Sequence, residues 1–406
     1  MTSSSSGRDS AADSAAGPLV GAGATALLLG AALAGLDAGA IGYVLPALRA
    51  ETGASPLQAS WLVSMYVIGT LAGIPAAAVA VRAHGAERVF RLCALLSCAG
   101  ALLVVLGGQA AVVLGGRLLQ GLGQGPLPVA AAMIAARWPQ ARQGRMMGAI
   151  SMAYGIAFLG GMLLVPLLLA LGWRSVFLAM LALAGSALAC MRGAGSGRDG
   201  TAQPGAPAAL LSSREMRAVA VLALGTGVGQ AAVILFPTLA VLRLSVTPAA
   251  SGLLMLPLAL GGVAATVGVM MALDRLGARR LLAAGGAATL AGVLLAAAGP
   301  ATHWSLLVGA GLLGLGITGL SGGPLRYAAG RAVAVELQGP AQGAVALLTN
   351  VGVLAGSLLF GALAGVGQDE RTALEAAMLA ACVLMGGSFL AVFALRAHRE
   401  AEGGGR

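Results

Sequence analysis

Residues 111–136 read AVVLGGRLLQGLGQGPLPVAAAMIAA, and this stretch decides how the chain is understood. As a helix of ~1.5 Å rise per residue it would reach ~39 Å, enough to cross a bilayer with some tilt. Near its start it carries Arg117, followed at helical spacing by Gln120, Gly121, Gln124 and Pro128 on one stripe. An arginine in hydrocarbon costs at least about 2.5 kcal/mol, so it must face protein or water. Snorkelling of Arg117 to a headgroup is the alternative. The two glutamines that continue the stripe inward favour a helix walling a polar path.

Composition extends this to the whole chain. Of 406 residues 58% are hydrophobic and only 9% charged, with a mean hydropathy of +0.92. A water-soluble globule carries about 25% charged residues, so that class is excluded. The net charge of +10 comes entirely from arginine, since the chain has no lysine. These arginines cluster between apolar runs, which argues against nucleic acid as a partner. Cys93, Cys98, Cys190 and Cys382 all lie in apolar runs without metal-ligand spacing.

Residues 1–18 read as a disordered tail without an apolar signal core. Spanning segments are expected at 19–46, 56–81, 89–108, 111–136, 146–170 and 174–191. A second set follows at 216–241, 249–273, 280–299, 304–329, 341–366 and 372–396. The Gly-, Pro- and Ser-rich stretch 192–215 separates them as a linker. The expected organisation is therefore a six-helix bundle (19–191), the linker, a second bundle (216–396) and a short tail (397–406). Only Arg49, Arg174, Arg243 and Arg371 fall on the side opposite the termini. Arg117 lies within a span, and the other nineteen arginines share the termini's side. That asymmetry predicts cytoplasmic termini in a multi-pass inner-membrane protein.

The halves echo one another. Gln143-Gly144 and Gln338-Gly339 enter spans five and eleven at an offset of 195 residues, and Gly85 and Gly277 differ by 192. Duplicated bundles with a midplane site are a common transporter architecture.

Four motifs give this architecture a family likeness. Span one holds Leu36-Asp37 and then Leu45-Pro46. Span two opens with Trp61 and Tyr66. Span four holds Gly116-Arg117-Leu-Leu-Gln120-Gly121-Leu-Gly123, and Asp274-Arg275-Leu-Gly277-Ala-Arg279-Arg280 follows span eight. Together they resemble the major facilitator superfamily, and within it the drug/proton antiporters, over residues 19–396. The resemblance implies an all-α fold of twelve transmembrane helices in two six-helix bundles. It also implies a monomeric carrier of small-molecule substrates and protons. In the family the loop after span two latches the cytoplasmic face. Here that loop reads Arg82-Ala-His84-Gly85-Ala-Glu87-Arg88, with an arginine where the acid usually stands, so Glu87 becomes the candidate latch. The fifth-helix antiporter motif survives only as Gly160-Gly161, without its proline.

Asp37 is the candidate for coupling. Burial disfavours its charged form and a nearby cation restores it, a balance suited to loading and releasing a proton. A purely structural partnership with Arg117 is the competing reading. Trp61, Met65, Gln120, Gln124, Tyr154, Gln230 and Asn350 are the cavity candidates, each weighed against plain helix packing. The glycine runs at 309–319 match a nucleotide fingerprint in spacing but lie within an apolar span, where small residues serve close helix approach. Nothing in the sequence marks a catalytic pair, a metal site, an ATPase engine or a cofactor. The expected activity is proton-coupled export of a lipophilic small molecule. A facilitator of a polar metabolite is the alternative, and a membrane scaffold or sensor a more distant one.

Overall fold

The computed structural model describes residues 21–124, 140–192, 213–247, 253–321, 323–334, 337–364 and 369–395, with Val129, Ala130, Met133, Ile134, Trp138 and Ser251. The expected tails 1–18 and 397–406, residues 193–212 of the linker, and Pro128 lie outside the described residues. The described chain is helical, with no strand among the described residues. In order come α1 (Ala22–Thr52), α2 (Pro56–His84), α3 (Ala86–Leu106), α4 (Ala110–Leu122), α5 (Gln140–Leu169) and α6 (Arg174–Arg192). There follow α7 (Arg214–Leu244), α8 (Leu256–Ala298, kinked at Gly277), α9 (His303–Ser321), α10 (Gly323–Arg331), α11 (Gln338–Ala364) and α12 (Glu370–Phe389), the last extended by a 3-10 turn over Leu390–Ala394.

Among the described residues nine helices are long and apolar enough to cross a membrane. Shorter apolar helices at Ala110–Leu122, Met152–Val165 and Leu256–Val269 occupy the places of expected spans four, five and eight. Side chains are arranged for lipid rather than water. Leu102, Leu163, Leu260 and Val383 face outward, whereas Ser64, Thr70, Gln120 and Arg117 are buried.

Three sequence expectations change. Asp37 stands at the midpoint of α1 rather than toward its end, because the helix runs on to Thr52. The regular helix of the fourth span stops at Leu122, with Gly123 and Gln124 in a turn. The glycines at 121 and 123 offer little to hold helical geometry at this end. The expected loop after span two is a single residue. Gly85, at φ 80° and ψ 150°, separates α2 from α3, so Arg82, Glu87 and Arg88 all stand on helices. Gly277 repeats that break inside α8 at φ 74° and ψ 159°, with Arg275 and Arg279 on its flanks. Both require the left-handed region that glycine alone enters freely.

The duplication is visible in packing. A Cβ on Gly35 of α1 would lie 2.2 Å from the Tyr154 carbonyl of α5. In the second half a Cβ on Gly227 of α7 would lie 1.9 Å from the Thr349 carbonyl of α11. Gly35 and Gly227 are 192 residues apart, and Tyr154 and Thr349 are 195 apart, the offsets read from the sequence. Gly42 of α1 rests against the backbone of Ile234 of α7, itself 192 residues on, so these equivalents meet where the halves join.

Candidate functional site

The α1–α5 contact through Gly35 and Gly39 lets backbones approach without intervening side chains. Gly121 does the same for α4 against α2, where a Cβ would lie 2.0 Å from the Tyr66 carbonyl. Small residues thus draw α1 against α5 and α4 against α2, and larger polar side chains between these pairs are enclosed.

At their centre Arg117 of α4 meets Asp37 of α1. Nη1 donates to Oδ1 at 2.5 Å and Nη2 to Oδ2 at 3.3 Å. Two further donors are also used. Nη1 reaches Gln120 Oε1 at 3.0 Å, and Nε reaches the Leu62 carbonyl of α2 at 3.3 Å. The guanidinium lies over the Tyr66 ring at 4.4 Å and near the Phe177 ring of α6 at 5.9 Å. Arg117 is 1% exposed and Asp37 3%, so snorkelling is excluded. A fork of two charge-assisted bonds, with further acceptors for Nη1 and Nε, is what a charge deep in an apolar bundle requires.

Asp37 has no counterpart in the second half. The residue 192 positions on is Gly229, where a Cβ would press on Ile317 and Met385. The buried pair belongs to the first half alone.

The other candidates are placed as follows. Gln120 joins the pair, and Gln124 is buried about one turn beyond it. Trp61 and Met65 are half-buried on α2. Tyr154 is half-buried on α5 and stacks on Phe158, with centroids 6.4 Å apart and planes at 7°. Gln230 of α7 is half-buried, and Asn350 of α11 donates to Ala346 of its own helix at 2.9 Å. Arg82, Arg88 and Arg275 are exposed, and Glu87 pairs with Arg91 one turn on at 3.4 Å. Arg279 lies 5.8 Å from the Phe393 ring. The Asp274 side chain lies outside the described residues. Sequence reasoning missed the parts played by Tyr66 and Phe177. Tyr66 stood in a quoted motif, but the Phe177 contact depends on how α6 folds back.

A second polar layer lies at the end of the bundles that carries few arginines. All four arginines assigned to that side are ion-paired. Glu51 takes Arg174 and the Trp173 indole, while Glu375 takes both Arg243 and Arg371 at 3.0 Å. Those pairs stay within one half. Arg49 of α1 pairs with Glu370 of α12, the ion pair that joins the halves among the described residues. Asp369 caps α12 beside it. Hydrogen bonds from the Thr372 hydroxyl and amide hold its carboxyl below the usual aspartate range. A cavity of about 310 Å³ lies between Pro46, Arg49, Thr238, Leu242 and Glu370. The halves also touch here through Gly361 of α11, packed on Ser60 and Leu57 of α2.

Known proteins resemble the chain in the following ways. A family model described as Major Facilitator Superfamily matches residues 27–272. A multidrug resistance protein B homolog of Mycobacterium tuberculosis is 28% identical over 163 residues, 40% of this chain and 30% of that protein. An uncharacterized MFS-type transporter of Bacillus subtilis, YfiU, is 28% identical over 130 residues, 32% of this chain and 25% of its own. The chain thus spans less than a third of these curated relatives. Among solved structures, the nucleoside transporter NupG aligns over 92% of this chain and 98% of its own, with a TM-score of 0.67 and 14% identity. A D-xylose–proton symporter aligns over 89% and 96%, with a TM-score of 0.68 and 16% identity. At those identities the likeness is one of fold.

Proposed function

The chain belongs to the major facilitator superfamily, and we propose that within it the protein exports lipophilic small molecules by proton antiport through alternating access. The observation that carries this reading is the Asp37–Arg117 pair at the midpoint of α1. The carboxylate there faces one buried cation through both oxygens, and a proton on Asp37 would remove that cation's strongest partner. Arg117 would then keep only neutral acceptors, Gln120 and the Leu62 carbonyl. The tie between α1 and α4 would weaken, and α1 is the helix that meets the second half at Gly42 and Arg49. Proton binding is thereby linked to the contact between halves. Closure at the Arg49–Glu370 end supports a state open toward the opposite, arginine-rich side. We read that side as cytoplasmic.

Drug-like substrates are supported by the stacked Tyr154–Phe158 wall and by the partial likeness to a multidrug resistance homolog. One observation favours a second reading. The doubly bonded, buried pair would also serve as a fixed structural tie, and the protein would then be a facilitator of a polar metabolite. Proteoliposomes presented with neutral and charged lipophilic probes separate the two. Probe movement that follows an imposed pH gradient supports antiport, and movement indifferent to the gradient overturns it.

A further inference from the structure

The cavity at the arginine-poor end points to a second binding site, an inference that rests on the alternating-access reading above. Its walls come from both halves: Pro46 and Ala50 of α1, Val241 and Leu242 of α7, and Glu370 of α12. At about 310 Å³ it lies at the small end of small-molecule sites, which run from ~300 to ~1,000 Å³. Its charged groups are spent on each other. Arg49 Nη1 and Nη2 donate to the two Glu370 oxygens, and Arg49 Nε donates to the Ala54 carbonyl at 3.3 Å. A charged ligand would have to break that fork to gain a partner.

Thr238 of α7 is different. It lines the cavity and is only 3% exposed, yet its hydroxyl has no hydrogen-bond partner among the described residues. Thr70, Thr226, Thr289 and Thr349, each within a helix, return the hydroxyl to the carbonyl four residues back at 2.7–2.9 Å. At Thr238 the corresponding carbonyl is that of Ile234, and Gly42 of α1 is pressed against it, so that a Cβ there would lie 2.5 Å away. A buried hydroxyl without a partner is unfavourable. One not held by its own helix can turn about its side-chain bond toward the cavity it lines.

We infer that this cavity binds small uncharged amphiphiles, with the apolar body between α1 and α7 and one hydroxyl or amide group on Thr238, and that its occupant holds this end of the protein closed. A threonine hydroxyl both donates and accepts, so it meets either group. Because the walls belong to both halves, the cavity keeps its shape only while this end is closed. A ligand that binds that state alone shifts the balance toward it. Neither Asp37 nor Arg117 lines the cavity, so the occupant would slow alternation without touching the central pair.

Protection of a cysteine in the cavity wall tests this with the full chain in lipid nanodiscs. Maleimide labelling of Ala54→Cys is followed as 2-naphthol, naphthalene or 2-naphthoate is added. 2-Naphthol should protect at a concentration about threefold to tenfold below naphthalene, and 2-naphthoate should not protect. Thr238→Val, which keeps the shape and removes the hydroxyl, should bring 2-naphthol to the level of naphthalene. Thr238→Ser should keep the difference. 2-Naphthol should also slow labelling of Ser60→Cys, which lies outside the cavity where α2 meets Gly361 of α11 at the same end. The binding site is overturned if 2-naphthol gives no protection, if it protects no better than naphthalene or 2-naphthoate, or if Thr238→Val leaves the difference in place. Protection of Ala54→Cys without any slowing at Ser60→Cys would overturn the closing role. Labelling needs no substrate, so a failure of antiport appears separately, as flux indifferent to a pH gradient.

Discussion

Arg117 of α4 clasps Asp37 of α1 through two hydrogen bonds, 2.5 Å and 3.3 Å long, beside Gln120 and the rings of Tyr66 and Phe177. Eighty residues of sequence separate them. Removing one partner strands the other charge, whereas removing both leaves none. Asp37→Asn or Arg117→Gln alone should destabilise the protein by about 3–5 kcal/mol, and the two combined by much less than the sum. Melting of the purified variants checks this, and additive losses would mean that the pair is not coupled.

The Arg49–Glu370 pair joins α1 to α12 and should bias which end of the protein is closed. Arg49→Gln should expose the buried Thr238 that lines the adjoining cavity, seen as faster labelling of Thr238→Cys by a membrane-impermeant maleimide. The charge exchange Arg49→Glu with Glu370→Arg should restore slow labelling. Because the pair is partly solvent-exposed, a rate change of a few-fold is expected.

Two glycines are held where other residues are strained. Gly85→Ala and Gly277→Ala should each lower the melting temperature, by roughly 1 kcal/mol of stability. Gly155→Ala, at a helical position with nothing within 4 Å of the new Cβ, should not. Equal effects at all three positions would remove the conformational argument.

Asp369 gives a pH dependence with a definite sign. Its carboxyl is held low by Thr372, so the cap on α12 contributes above the ordinary aspartate value and is lost as the pH falls below it. Amide exchange at Thr372 should therefore quicken on acidification, and Asp369→Ala should show the fast rate at neutral pH. A rate at Thr372 that ignores both would contradict the cap.

The helical fold was legible because apolar runs, arginine placement and the 192- and 195-residue offsets each have a direct physical cause. The glycines at 35 and 227 show why the offsets hold: each half repeats the same backbone approach. Arg117 and Asp37 could be singled out because a charge in an apolar run is costly wherever it lies. Their pairing was one of two readings the sequence offered, and choosing it depends on how α1 and α4 pack. The Arg49–Glu370 and Arg243–Glu375 pairs were hidden for a related reason. Each residue looks like an ordinary loop-end charge until its helices are packed, α1 on α12 for the first pair and α7 on α12 for the second. The single-residue break at Gly85 was read as a loop because its charged flanks look alike in either case.

The central claim is that Asp37 carries the proton. The most direct test is proton counterflow in proteoliposomes, with a pH-sensitive dye inside and an outward substrate gradient as the only driving force. Antiport predicts that the wild type acidifies the lumen in step with substrate leaving it, whereas alkalinisation would mean symport. Asp37→Asn, confirmed as folded by its melting curve, should abolish that signal while substrate–substrate exchange persists. Proton counterflow that survives Asp37→Asn would contradict the account and leave the pair with Arg117 a structural tie.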